Sequence, residues 1–598
     1  TITFNGSIAD DSAAGLDGAS NASGKGADLT VKSGLVVFND DNSYTGQTKI
    51  EGGALHAEDG KGIHKHSNIN FTGNHDGGVL ETSGKFDRYT GTAKDRVQWT
   101  GSGGFAASGG DLEVSLNGGA QRTWGKEGFV AGDNALIFGS DRATDNVTFK
   151  NAINIDGKTA TILVNPGSIE GKHAQMDGVL SNGSLVVGDA NHAGELILNA
   201  ANTYAGGTTI KAGNLQLSEK GSLNKDGLVM VEKDAQFDLT KTGDQAIGTL
   251  AGAGKVALAA NTLTLNQGGD TTFSGVISGE KGNVIKQGAG KLTLSGDNTY
   301  QGQTQIKAGT MTLDGSLASQ SVDVAAGALL NDNHGGLHQD AKLNNDGTTN
   351  LNADDTVASL SNTGTISGNG TTLTAKTYAL NNASVINANL GSGELTANGT
   401  VTLTGTSSAE KVRVETGVMT LSSGERLLDS SDVTVDGKLV LGGDETIGTL
   451  AGSKADGVLE LSGSQLTLQQ NKDTTFAGQL NDVQGNKASV LKQGTGTITL
   501  TGDSHFEGTT TIAQGGITLD GTLASLDLDV QKDGTLTNNQ GGLTALAKLN
   551  NDGIVNQNHD DTIKKLVNTG TINASKDGKA TLTADTYALN DGSVIHAN

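Results

Sequence analysis

Four kinds of residue grouping in this chain could do chemistry by type and spacing. The first is Gly502-Asp503-Ser504-His505, the nearest approach to a Gly-Asp-Ser-Gly nucleophile loop. A serine nucleophile needs a histidine base and a backbone oxyanion hole, and no Gly follows Ser504 to open one. Its counterpart elsewhere in the chain, Gly296-Asp297-Asn298-Thr299, reads as an ordinary turn. The second is the pair of paired carboxylates, Asp354-Asp355 and Asp560-Asp561. Clustered carboxylates, with Arg, Lys or calcium beside them, are what polysaccharide cleavage uses. These two pairs fall at equivalent places of an internal duplication, which favours a turn role. The third is His64-x-His66 with His75 and Asp76, which could hold a surface ion. The 11 His are otherwise scattered, without Cys partners or ligand spacing, so solvated loops are the expectation and no metal site is assigned. The fourth is Gly252-Ala253-Gly254-Lys255 and Gly288-Ala289-Gly290-Lys291, which look like phosphate loops. Neither has the upstream Gly, the Lys-Ser/Thr ending or the following helix that phosphate binding uses. No cofactor and no catalytic residue are expected, and the chain reads as a non-enzyme.

Recognition chemistry has a stronger signal. Both Trp (Trp99, Trp124) and Arg88, Arg96, Arg122 and Arg142 lie between residues 85 and 145, with Tyr89, Phe105 and Phe129. Trp, Tyr and Arg are enriched at binding hot spots. Arg88, Tyr89, Arg96, Trp99, Phe105, Arg122 and Trp124 are therefore the candidate ligand-binding residues. The competing expectation is that they pack a local, loop-rich elaboration onto the fold.

The elements that must position these residues are set by repetition. One motif occurs four times. In its third copy it runs Leu292-Thr293-Leu294, Asn298-Thr299-Tyr300-Gln301-Gly302, Thr304-Gln305-Ile306 and Gly309-Thr310-Met311-Thr312-Leu313. Tyr44 and Gly46, Tyr204 and Gly206, and Phe506 and Gly508 take the places of Tyr300 and Gly302 in the other copies. Each copy reads as three short strands of period two, separated by Asn, Asp and Gly turns. A longer duplication lies over this one, residues 247–389 returning at 447–598. Lys342-Leu343-Asn344-Asn345-Asp346-Gly347, for example, returns as Lys548-Leu549-Asn550-Asn551-Asp552-Gly553.

Three strands in 20–25 residues make one triangular coil, so the expected fold is all-β. It is a right-handed parallel β-helix, a three-faced solenoid drawn out as an elongated rod. At about 21 residues per coil and about 4.8 Å between coils, roughly 28 coils would span about 130 Å. The expected organisation is an N-terminal β-helix part over 1–190, with the elaboration around 85–145. Coils over 191–246 that carry a copy of the four-fold motif follow, then long repeat unit 1 over 247–446 and a truncated unit 2 over 447–598, in one continuous solenoid.

Composition agrees. The apolar fraction is 34 %, below the 45–50 % or so of ordinary globular domains, which suits a thin continuous core. A formal net charge of −24 argues against nucleic acid and against anionic membranes. No apolar run approaches the roughly 18 residues of a membrane helix. The complete lack of Cys suits a chain that crosses a narrow channel unfolded. Thr1 opens mid-strand without a signal-peptide pattern, and Val594-Ile595-His596-Ala597-Asn598 repeats a mid-array segment, so the chain reads as part of a longer one.

The four-fold motif resembles the passenger-associated transport repeat of classical autotransporters of the AIDA-I and antigen 43 type. Gly101-Ser102-Gly103-Gly104-Phe105, Trp124, Gly128-Phe129-Val130 and Leu136-Ile137-Phe138-Gly139-Ser140 resemble a segment of large passengers of that class. The resemblance implies a β-helical adhesin passenger on the surface of a Gram-negative cell, acting in adhesion, autoaggregation and biofilm formation. Its implied partners are a second copy of itself, host glycans or matrix proteins. Membrane attachment would come only through a C-terminal barrel outside this chain. Alternative expectations are a stalk and folding template for an upstream head, or a polysaccharide-active enzyme.

Overall fold

The protein is described by a computed structural model covering residues 1–10, 26–167, 173–483, 486–575 and 577–596. Ala597 and Asn598, the last two residues of the second long repeat, lie outside the described residues. Two compact units result, Thr1–Ser319 and Gln320–Asn598. Both are built from short strands in parallel register, and no α-helix occurs among the described residues. Parallel strands usually need helical crossovers; here the crossover is itself strand and turn, which makes the architecture a β-solenoid.

Within the first unit, Asn283–Lys286, Lys291–Leu294 and Asp297–Asn298 form the three walls of one coil. Gln303–Ile306, Thr310–Leu313 and Ser316–Leu317 form the next, each in parallel register with the wall below it. The period-two pattern decides which side faces in. Leu292 sits on Met311 and Leu294 on Leu313, all four buried. Each such buried aliphatic side chain contributes roughly 1.5–3 kcal/mol, and Lys291, Thr310 and Thr312 turn outward while Thr293 is covered.

The coils between residues 79 and 149 are wider. Val79–Phe86 pairs with Gly103–Val114, which pairs in turn with Ala135–Phe138 and Val147–Phe149. Strands in register thus run through the segment expected to be loop-rich. Its broader interior is filled by rings: Trp99 lies 5.0 Å from Phe71 and 5.3 Å from Phe129, and Phe86 lies 4.9 Å from Phe105. Interiors are packed to crystal-like density, so a wider cross-section calls for larger side chains.

The second unit contains tighter coils. Leu343 pairs with Leu360, Leu360 with Tyr378, Tyr378 with Leu395 and Leu395 with Val412. The long duplication appears as repeated geometry. Asn345 Nδ2 donates to Asn362 Oδ1 at 2.7 Å, and Asn551 Nδ2 donates to Asn568 Oδ1 at 2.7 Å, all four buried.

Candidate functional site

The transport motif is a packing device. Tyr44, Tyr204, Tyr300 and Phe506 are buried at the coil corner. The glycine two residues on cannot carry a side chain. A Cβ on Gly46 would strike the Ala27 carbonyl, on Gly206 the Ser184 hydroxyl, on Gly302 the Gly282 carbonyl and on Gly508 the Ala488 carbonyl. The corner therefore fixes both a large ring inside and a bare backbone outside.

The seven residues singled out for recognition separate into two groups. Trp99, Trp124 and Phe105 are buried in the ring stack, and Trp99 Nε1 donates to the Gly103 carbonyl at 2.8 Å. Arg88 is buried too; its Nε and Nη2 grip the Asp59 carboxylate, and its Nη1 donates to the Ser67 carbonyl. Arg122 is buried and reaches Thr90 Oγ1 and Glu127 Oε2, each at 3.0 Å. These five hold coils together and are closed to a ligand. Tyr89 is 53 % exposed, and the Arg96 guanidinium lies over its ring, 5.3 Å from the centroid. Arg96 Nη1 is tied to the Thr90 carbonyl at 3.2 Å. Of the seven, this pair alone presents surface. Composition located the cluster but could not tell which way each side chain points.

The other chemistry-bearing groups are engaged between coils. Ser504 is buried; its Oγ accepts the Leu480 N–H at 3.4 Å, while Asp503 accepts the Thr522 hydroxyl at 2.9 Å. Asp354 and Asp560 each accept a backbone N–H from the next coil, Thr372 and Thr581, at 2.8 Å. In the glycine loop ending at Lys291, the Lys291 N–H is already taken by the Asp270 carboxylate at 2.8 Å.

Two constellations were invisible in the sequence. Glu81, buried, accepts from Ser140 Oγ at 2.8 Å and contacts His56 Nδ1 at 3.1 Å. Burial pushes the Glu81 carboxyl up, but the bonds from His56 and Ser140 outweigh it and hold it low. The carboxylate stands between Ser140 and His56, whereas a nucleophilic serine needs the imidazole in that place. The second constellation joins His75 to Asp189, 114 residues away: His75 Nε2 lies 2.6 Å from Asp189 Oδ2. Asp76 is adjacent, and ligand atoms of His75, Asp76 and Asp189 all lie within 4.8 Å of one another. His64 and His66, grouped with His75 by sequence, instead meet each other edge to face with centroids 5.2 Å apart.

The outward faces carry ladders of polar side chains. Asn539 Nδ2 donates to Asp520 Oδ1 at 2.7 Å, and Asn558 Nδ2 donates to Asn539 Oδ1 at 2.8 Å, with Asp520 and Asn558 exposed and Asn539 half-buried between them. Asn352 bonds Asn333 at 2.7 Å, Asn350 bonds Asn331 at 2.9 Å, and Asn573 bonds Asn556 at 3.0 Å. A shallow groove in the second unit is lined by Asp340, Lys376, Glu394, Glu410 and Lys411. Its Glu394 is paired with Lys411 at 2.5 Å, a contact that holds the carboxyl low.

The passenger-associated transport repeat family matches residues 33–57, 193–217, 284–313 and 490–519. The chain is 31 % identical over 210 residues to "Adhesin BmaC autotransporter" of Brucella suis biovar 1 (strain 1330), a match covering 32 % of this chain and 6 % of the relative. It is 45 % identical over 58 residues to "Extracellular serine protease" of Serratia marcescens, covering 10 % of this chain and 6 % of that protein. The match thus spans a small fraction of each relative's length. No solved structure matches.

Proposed function

We propose, taking the chain as the passenger region of a classical autotransporter to which its transport repeats and relatives point, that it serves as a non-catalytic adhesive surface. On this reading it is displayed by a Gram-negative cell and mediates adhesion, autoaggregation and biofilm formation. The observation that carries the reading is the surface ladder Asp520–Asn539–Asn558, in which the bonds between coils leave part of each amide's hydrogen-bonding capacity unused. An amide offers two donor protons and two acceptor lone pairs. One coil contributes little; a column of such groups, meeting the like column of a second copy or the hydroxyls of a host glycan, sums many weak contacts by avidity. Matrix proteins could be held the same way. The relative named as an adhesin supports this class of function.

A second reading, stalk and folding template, is favoured by the Tyr and Gly corner, which passes order from one coil to the next as nearest-neighbour folding requires. Display of residues 1–598 on a non-adhesive bacterium separates them. The adhesive reading expects cell clumping, biofilm gain or retention on glycan and matrix arrays, reduced by Asn539→Ala with Asn558→Ala. Display at full density with none of these leaves the stalk. Release of reducing sugar from polysaccharide would reject both in favour of an enzyme.

A further inference from the structure

We propose that His75, Asp76 and Asp189 form a binding site for a divalent transition-metal ion, with His192 as the group that positions Asp189. His75 and Asp76 sit in the loop between the strands Ile69–Phe71 and Val79–Phe86. Asp189 and His192 sit in the turn between Ser184–Val187 and Glu195–Leu198. Coil stacking brings the two loops together, so the cluster has no local sequence signature.

Asp189 is built as a ligand. Its Oδ1 is saturated: it accepts the backbone N–H groups of Asn191 and His192, each at 2.9 Å, and the His192 Nδ1–H at 2.8 Å. Its Oδ2 points the other way and meets His75 Nε2 at 2.6 Å. The His192 ring is itself buried and cannot swing away. An imidazole that orients a ligating carboxylate is a recurrent second-layer arrangement around metals.

The donor set decides the ion. One imidazole with two carboxylates suits zinc, manganese or nickel, whereas calcium and magnesium favour all-oxygen cages. Ligand atoms about 2.0–2.2 Å from an ion lie about 3–3.5 Å apart; the three ligand atoms here fall within 4.8 Å of one another, and the 2.6 Å contact between His75 Nε2 and Asp189 Oδ2 would open slightly and release its shared proton to admit the ion. Three protein ligands would leave a coordination position open, and one of them, Asp76, also lines a groove with Glu81, Arg142, Asn191 and His192.

The test is titration of the whole, chelator-stripped and untagged chain with Zn2+ by calorimetry, with hydrogen exchange in parallel. The expected result is one tight Zn2+ per chain that excess Ca2+ does not displace, with exchange slowed at residues 74–77 and 188–193. His75→Ala and Asp76→Asn change exposed side chains and should each weaken that binding by at least about tenfold, with unchanged circular dichroism. The double variant His64→Ala, His66→Ala should leave it intact. Unchanged Zn2+ affinity in His75→Ala, or loss confined to the His64/His66 variant, would overturn the assignment.

Discussion

The phenol oxygen of Tyr300 lies 2.7 Å from the hydroxyl of Thr304, with both side chains sealed inside the coil. Tyr44 and Thr48 repeat the contact at 2.8 Å, and Tyr204 and Thr208 at 2.7 Å. Burial raises the phenol pKa at all three positions, so each tyrosine stays neutral and able to donate. In the fourth copy Phe506 replaces the tyrosine, and the buried Thr510 hydroxyl is left without a partner.

That difference predicts the sign of two substitutions. A net hydrogen bond is worth about 1 kcal/mol, and an orphaned buried hydroxyl costs about 1–3 kcal/mol. Phe506→Tyr should therefore slow amide exchange across Thr509–Leu519 by about five- to tenfold, and Tyr300→Phe should speed exchange across Gln303–Ile306 by a similar factor. Faster exchange in Phe506→Tyr would mean that the corner has no room for the phenol oxygen.

The fold was legible because its signal is local. Thr310–Leu313 alternates outward Thr with inward Met and Leu, and the same alternation recurs in strands such as Gln303–Ile306, Ser321–Val324 and Gln465–Leu468. Side-chain destinations were less legible. Trp99 and Arg96 stand three residues apart in one composition-biased segment, yet one fills the core and the other is partly exposed. His75 and Asp189 meet only through coil stacking, so no spacing rule could pair them. Lys286 gave no signal in the sequence: it ends the strand Asn283–Lys286 and is fully buried, its stem passing through the core before the ammonium meets the Gly288 and Ala308 carbonyls.

The two long repeats predict a pH dependence. Asp332 and Asp355 are both buried and their carboxyls are neighbours; Asp332 Oδ1 accepts the N–H groups of Gly335 and Gly336, so only a proton shared with Asp355 can satisfy its buried Oδ2. In the second repeat the place of Asp332 is taken by Asn538, whose Nδ2 donates to Asp561 Oδ2 at 2.7 Å. Burial, reinforced by the neighbouring Asp332, pushes Asp355 up to about 8. A carboxyl raised in the fold above its unfolded value of about 3.9 stabilises fully below that value. The contribution is lost as pH climbs towards about 8. Asp332→Asn should thus gain roughly 1–3 kcal/mol at pH 8 and little at pH 4, read by urea unfolding at both. An equal gain at both pH values would refute the proton-sharing explanation.

Lys492 predicts the reverse kind of loss. Its buried Nζ donates to the carbonyls of Gln493 and Gly494 at 2.8 Å and of Gln514 at 2.9 Å. Burial draws the ammonium down to about 8, and the stem is otherwise indistinguishable from an aliphatic core residue. Lys492→Met keeps the volume and removes every donor, leaving three carbonyls unpaired. A destabilisation of roughly 1–3 kcal/mol is expected, visible as faster exchange in Ser489–Lys492 and Thr509–Leu519. Unchanged exchange would indicate that water reaches those carbonyls.

Segment 85–145 separates packing from recognition. Trp99→Ala should cost about 3–5 kcal/mol, because its ring touches Phe71, Phe105 and Phe129 and its indole N–H holds Gly103. Any loss of adhesion in that variant would report unfolding. Tyr89→Ala with Arg96→Ala removes an exposed ring, the guanidinium above it and that group's single bond to the Thr90 carbonyl, so the melting temperature should stay within about 1–2 °C, as surface changes usually do. If this pair is a contact point, adhesion of displaying cells should fall about tenfold or more at equal surface density, the scale of a hot-spot residue. If adhesion is unchanged while Asn539→Ala with Asn558→Ala abolishes it, contact is made by the ladders, because an amide column can be occupied anywhere along its length whereas a Tyr–Arg pair offers one place only.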